Sequence, residues 1–151
     1  MSSNRQGFVQ ASFAYLVYFL LPLKLLGALY QVDQVSQPSG FVSQSEAIEG
    51  ETSKNSVTHD LLTNGYAFGY WEINGVRQAG DDNRSLVQVS TTISANTTFK
   101  AFYFSESADT DNDGIKDWYE YRMFGSLNLG PTDNPDGDGY SNKEESELGQ
   151  D

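Results

Sequence analysis

The chain reads as a mainly β protein, a small antiparallel sheet or sandwich followed by an acidic loop–helix tail. Three features predict this. Between residues 30 and 104, short runs rich in β-branched and aromatic side chains alternate with turn-forming clusters. From Ser105 onward the texture changes to closely spaced carboxylates and glycines, with 13 acidic residues against 3 basic ones. Within that tail, segments starting at Asp117 and Asn142 carry helical character directly after an acidic loop. A length of 151 residues accommodates one ordinary domain or two small ones. Three regions follow from these shifts in texture: 1–29, an apolar N-terminal segment; 30–104, a small β module; and 105–151, tandem cation-binding loops.

The first region is the least determined. Phe8 to Leu23 carries no charge and is flanked by Arg5 and Lys24. Its densest part, Phe13 to Leu23, is short for a membrane span and fits a signal-peptide apolar region or anchor. A buried strand pair fits as well, since Pro22 interrupts the run and no A-x-A cleavage site follows. Membrane contact is expected, if anywhere, only through residues 8–30.

In the second region four or five strands are expected, from YQVDQV, SVTHDLL, YAFGYWEI, LVQVSTTI and TFKAFYF. Asn74-Gly75, directly after Trp71-Glu72-Ile73, predicts a tight hairpin, because both central residues of a type I′ turn need positive φ. In the last run Phe99, Ala101 and Tyr103 point one way, while Lys100, Phe102 and Phe104 point the other. Aromatics on both faces predict that one end of this strand is covered on both sides.

The tail contains two loops whose residue types are set by one chemical requirement. A hard cation such as calcium takes six to eight oxygens at short range, so alternating carboxylates must curl around a point. Asp109, Asp111 and Asp113 occupy positions 1, 3 and 5 of a twelve-residue loop, with Gly114 at 6, Asp117 at 9 and Glu120 at 12. Ile115, at position 7, offers its backbone carbonyl. Asn134, Asp136, Asp138, Gly139, Tyr140, Asn142 and Glu145 fill the same slots a second time, Tyr140 by its carbonyl. Two Ca2+ sites are therefore expected. The second has three carboxylates where the first has five, which predicts weaker binding. Trp118, Tyr121 and Phe124 recur at helical spacing after the first loop and are expected to face the sheet or the second loop.

Several functions are disfavoured. The chain has no cysteine, which removes disulfides, thiolate metal sites and a cysteine nucleophile. A net charge of −12 repels phosphate backbones, so no nucleic-acid partner is expected. His59 is the single histidine, no G-x-S-x-G elbow or Walker A sequence occurs, and the recognisably spaced acids are committed to the cation loops. No enzyme activity is expected. Tyr66, Phe68, Tyr70, Trp71, Phe102, Tyr103 and Phe104 read first as the core of a small β domain and second as a carbohydrate platform. Asn83-Arg84-Ser85 and Asn96-Thr97-Thr98 match glycosylation acceptors, a pattern frequent by chance.

With these residues in view, the chain resembles two module types found together in very large secreted bacterial proteins. Asn64 to Trp71, Ile73-Asn74-Gly75-Val76-Arg77-Gln78 and Ile93 to Thr98 are similar to the internalin-type B-repeat group of β modules. Asp117-Trp118-Tyr119-Glu120 and Asn134 to Gly139 are similar to the calcium loops of EF-hand-like, dockerin-like and thrombospondin type 3 repeats. The resemblance implies an extracellular, secreted or cell-surface role, with calcium stiffening links between repeats. It implies neighbouring repeats of the same polypeptide as partners, and surface polymer or carbohydrate as a ligand if the module is adhesive. The loops start 25 residues apart, end in Glu120 and Glu145, and carry Trp118-Tyr119 where dockerins have a Ser/Thr pair. These departures argue against a cohesin-type partner. An end just past the second loop suggests a piece of a longer repeat array.

Overall fold

A computed structural model of the chain describes residues 27–50, 52–57 and 61–148. The apolar run from Phe8 to Leu23 and the solitary His59 lie outside the described residues. The expected class is observed: mainly β, with two short helices in the tail.

Among the described residues eight strands form, more than the four or five expected. They are β1 (Leu29–Gln37), β2 (Ser43–Glu49), β3 (Ser53–Val57), β4 (Leu62–Thr63), β5 (Tyr66–Ile73), β6 (Val76–Gln78), β7 (Gln88–Thr92) and β8 (Thr97–Ser105). The larger sheet has the order β2-β1-β8-β5-β4, with β6 also paired to β5. Most of its pairs are antiparallel, but β1 and β8 run parallel, from Val32↔Thr97 to Gln37↔Phe102. β3 and β7 form a separate antiparallel pair. From that side Val89 and Ile93 join Val32, Phe68, Trp71, Phe99, Ala101 and Tyr103 in one buried cluster. Removing such side chains from water is the dominant stabilising contribution, on the order of 1.5–3 kcal/mol for each large apolar residue.

The Asn74-Gly75 turn has φ of 51° and 80° and joins β5 to β6 with Ile73 opposite Val76. The strand β8 alternates as its sequence demands. Phe99, Ala101 and Tyr103 are buried in the core, and Phe102 and Phe104 are half-buried on the other face. That second face is covered by the tail. Tyr70 stacks on Phe102 with centroids 4.5 Å apart, and Phe104 stacks on Tyr121 at 4.7 Å. Gly69 lies where the β5–β8 register shifts between Phe68 and Tyr70. A Cβ there would lie 2.4 Å from the Phe104 ring, so only glycine admits that ring.

The tail helices are α1 (Asp117–Met123) and α2 (Asn142–Leu148). Each follows its acidic loop directly, as loop–helix units. Tyr121 faces the sheet as expected. Trp118 and Phe124 do not join it there: they edge a second small cluster whose buried members are Ile115, Tyr119 and Met123. The helix thus has two apolar sides, one on the sheet and one inside the tail. Among the described residues no helix is long and apolar enough to cross a membrane.

Candidate metal centre

Both acidic loops curl as their glycines permit. Gly114 and Gly139, at position 6 of each, have φ of 90° and 108°. This conformation is costly for a side-chain-bearing residue. The turn is fixed the same way twice: Ile115 N–H donates to Asp113 Oδ1 at 2.7 Å, and Tyr140 N–H to Asp138 Oδ1 at 2.9 Å. The second loop adds Gly137 N–H to Asn134 Oδ1 at 2.7 Å.

In the first loop Asp109, Asp111 and Asp113 each present a carboxylate oxygen within 4.8 Å of the others. Asp109 Oδ1 and Asp113 Oδ2 are buried without a hydrogen-bond donor. Glu120 is the most telling residue. Its side chain is 0% exposed, and neither Oε1 nor Oε2 has a donor. Burial, then the charges of Asp111, Asp113, Asp117 and Asp109, push its carboxyl up from 4.5 to about 7. A buried carboxylate among four others with no donor is among the least favourable arrangements for a chain alone. A divalent cation supplies what the arrangement lacks, and these oxygens are hard donors of the type calcium takes. Asp117 is buried but engaged elsewhere: Thr110 donates its N–H to Oδ1 at 2.7 Å and its hydroxyl to Oδ2 at 2.6 Å. It clasps the loop start to the helix start, and its remaining lone pairs leave it able to accept further bonds.

In the second loop Asp136, Asp138 and Glu145 form the corresponding cluster. Glu145 is buried while the two aspartates are exposed. Asn142 is 0% exposed, donates Nδ2–H to Gly130 O at 3.0 Å, and leaves Oδ1 without a donor. Tyr140 is 45% exposed, so this loop lacks the apolar anchor that Ile115 gives the first.

Sequence reasoning missed the residues that hold these loops in place. Ser141 and Glu144 form a reciprocal cap at the start of α2: Ser141 N–H donates to Glu144 Oε2 at 2.9 Å, and Glu144 N–H to Ser141 Oγ at 3.4 Å. The S-x-x-E spacing was the available signal. Lys143 donates its ammonium to the Gly114 carbonyl and lies 3.3 Å from Glu147, tying α2 to the first loop. No local pattern marks that contact, nor the clasp by Thr110. The seven aromatics considered as a carbohydrate platform are all buried or half-buried. They serve the core and the Phe102–Tyr70–Phe104–Tyr121 stack.

No curated protein and no solved structure matches the chain. Two short stretches, 109–120 and 135–149, match the family model for the bacterial TSP3 repeat, a calcium-binding type of repeat.

Proposed function

We propose that this chain is a non-enzymatic structural module in which two calcium ions order the acidic tail and the first ion fixes the tail against the β-sheet. The observation carrying this reading is Glu120, fully buried with two donorless oxygens beside Asp109, Asp111 and Asp113. Asp109, Asp111, Asp113, Glu120 and the Ile115 carbonyl would hold the first ion, with Asp117 bracing the loop. Asn134, Asp136, Asp138, Asn142, Glu145 and the Tyr140 carbonyl would hold the second. Bound calcium neutralises the crowded carboxylates and lets α1 keep Tyr121 on Phe104.

In this reading the module belongs to a secreted or cell-surface bacterial protein and joins neighbouring repeats of the same polypeptide through a link that calcium stiffens. The match to a bacterial calcium-binding repeat over both loops supports it. The test is calorimetric titration of calcium into the metal-stripped chain, with tryptophan fluorescence followed in parallel. Two binding events accompanied by a fluorescence change are expected, since Trp118 packs at the edge of the cluster that Ile115 anchors. Absence of binding at millimolar calcium, the weak end of the range for extracellular modules, would overturn the reading.

A further inference from the structure

We propose that Arg77, on the β6 hairpin, is a positioning residue for the first cation loop, acting through the C-terminal end of α1. The inference rests on the reading of that loop as a calcium site. A helix of seven residues leaves its last-turn carbonyls without intrahelical partners. Here the β module supplies the donors. The Arg77 guanidinium donates to Tyr121 O at 3.0 Å, and Ser85 Oγ approaches the same carbonyl at 3.2 Å. Ser85 N–H donates to Arg122 O at 2.7 Å, and Asn83 Nδ2–H to Phe124 O at 2.7 Å.

Arg77 also holds the loop from which the other donors come. It binds Asn83 Oδ1 at 3.1 Å, Asn83 O at 3.0 Å and Ser85 Oγ at 2.8 Å. Its guanidinium carbon lies 5.9 Å from the Tyr70 ring centroid, and Tyr70 in turn packs on Tyr121. A cation at a helix C-terminus is also favoured by the helix dipole. The chain leaves α1 against this group: a Cβ on Gly125 would meet the guanidinium carbon at 2.9 Å.

The consequence concerns Glu120. It directly precedes Tyr121, and its carbonyl accepts from Phe124 N–H at 2.7 Å and Gly125 N–H at 2.9 Å. A carboxylate that binds a cation through both oxygens needs its helix fixed in rotation and in translation. The Arg77–Asn83–Ser85 group fixes both, from a part of the chain that contains no cation ligand. The hydrogen bonds of Arg77, Asn83 and Ser85 run within the β module and to α1, and none of them reaches α2. Arg77 should therefore act directly on the first site.

The experiment is calcium titration of the intact chain carrying Arg77→Met, Arg77→Lys or Asn83→Ala. Asp113→Ala and Asp138→Ala chains are titrated alongside to assign the two binding events. Arg77→Met is expected to weaken the first-loop event about tenfold, the scale seen when a residue supporting a metal ligand is lost. The second-loop event should change far less, only through the Lys143 contact to Gly114, Arg77→Lys should recover part of the loss, and Asn83→Ala should give a smaller loss at the first loop. Unchanged first-loop affinity in both Arg77→Met and Asn83→Ala would overturn the positioning role, as would equal weakening at both loops. If Arg77→Met fails to fold, Asn83→Ala, which removes the contact to Phe124 and one partner of Arg77, decides. Failure of the unsubstituted chain to bind calcium is a different result and would remove the calcium reading itself.

Discussion

Replacing Glu120 by Gln should stabilise the metal-free protein and destabilise the calcium-loaded one. In the metal-free fold the Glu120 carboxyl is pushed from 4.5 to about 7, first by burial and then by Asp111, Asp113, Asp117 and Asp109. A rise of that size corresponds to about 3 kcal/mol of folding free energy lost when the group is ionised. Asp111 is exposed, so water screens part of the repulsion, and about 2 kcal/mol is the figure expected. The pH dependence has a defined sign. Below 4.5 both folded and unfolded chains hold the proton and nothing is lost. As pH rises from 4.5 to about 7 the unfolded chain ionises first, and the metal-free fold weakens across that window. Calcium reverses the trend, because it holds the ionised form: its stabilising effect should be largest above pH 7 and fade as protons compete for Glu120. Thermal unfolding at pH 8 in chelator should show Glu120→Gln melting higher than the unsubstituted chain, by roughly 5 °C. In excess calcium the order should invert. Calorimetry at pH 6 in two buffers of different ionisation enthalpy should show proton release on first-loop binding, and much less at pH 8.5. Calcium binding with no proton release at pH 6, or a Glu120→Gln chain that melts lower in chelator, would refute the reasoning.

Three other outcomes follow from the packing and the loops. Asp113→Ala should weaken tail order in calcium more than Asp138→Ala, read by Trp118 fluorescence, since the first loop concentrates more carboxylates and is anchored by buried Ile115; equal effects would contradict this. Gly69→Ala should destabilise the β module by about 1–3 kcal/mol in denaturant unfolding, because its methyl would displace the Phe104 ring from the stack with Tyr121. Lys143→Met should leave the second loop's own affinity intact while reducing the influence of second-loop occupancy on the first, because the ammonium on Gly114 O joins the two units; comparing first-loop affinity with and without Asp138→Ala in both backgrounds measures that coupling.

What was legible in the sequence is what chemistry fixes at short range. A hard cation dictates residue types at set offsets, so the two loops, their glycines and the helix starts at Asp117 and Asn142 could all be read directly. The Asn74-Gly75 hairpin was legible for the same reason, since few residue pairs accept its backbone. Strand β2 was not, because it is an edge strand of polar composition (SQSEAIE) with no buried residue to impose alternation. The parallel pairing of β1 with β8 joins segments some 65 residues apart, as Gln31 N–H to Asn96 Oδ1 also does, and leaves no local trace. Aromatics on both faces of β8 correctly announced a cover on each side. That the cover would be Tyr121 of the cation tail was open, because the same spacing offered Trp118 and Phe124 equally. Arg77 gave no sign of its contact with α1: in sequence it is an ordinary charge two residues past a turn.

The two loops share a motif but occupy different physical situations, and that difference sets how calcium would act on the whole chain. The first loop is built into the β module. Its exit helix lies on the sheet through Tyr121, and its last carbonyls are held by Arg77, Asn83 and Ser85. Much of the ordering cost of that loop is therefore met by contacts that do not involve the ion, and binding there should act mainly by relieving the repulsion around Glu120. The second loop stands across a cleft of about 280 Å³, lined in part by Arg84, Met123, Phe124, Pro135, Asp136 and Glu145. Every residue from 132 to 140 is exposed, so little but the ion can order it. It should bind later and more weakly, on charge count and on ordering cost alike. When it does bind, α2 becomes a fixed support for Lys143 on Gly114. The β module therefore fixes the first loop, and the first loop, through Lys143, is the surface on which the second can settle. Calcium would then spread order outward, from the sheet through the first loop to the second.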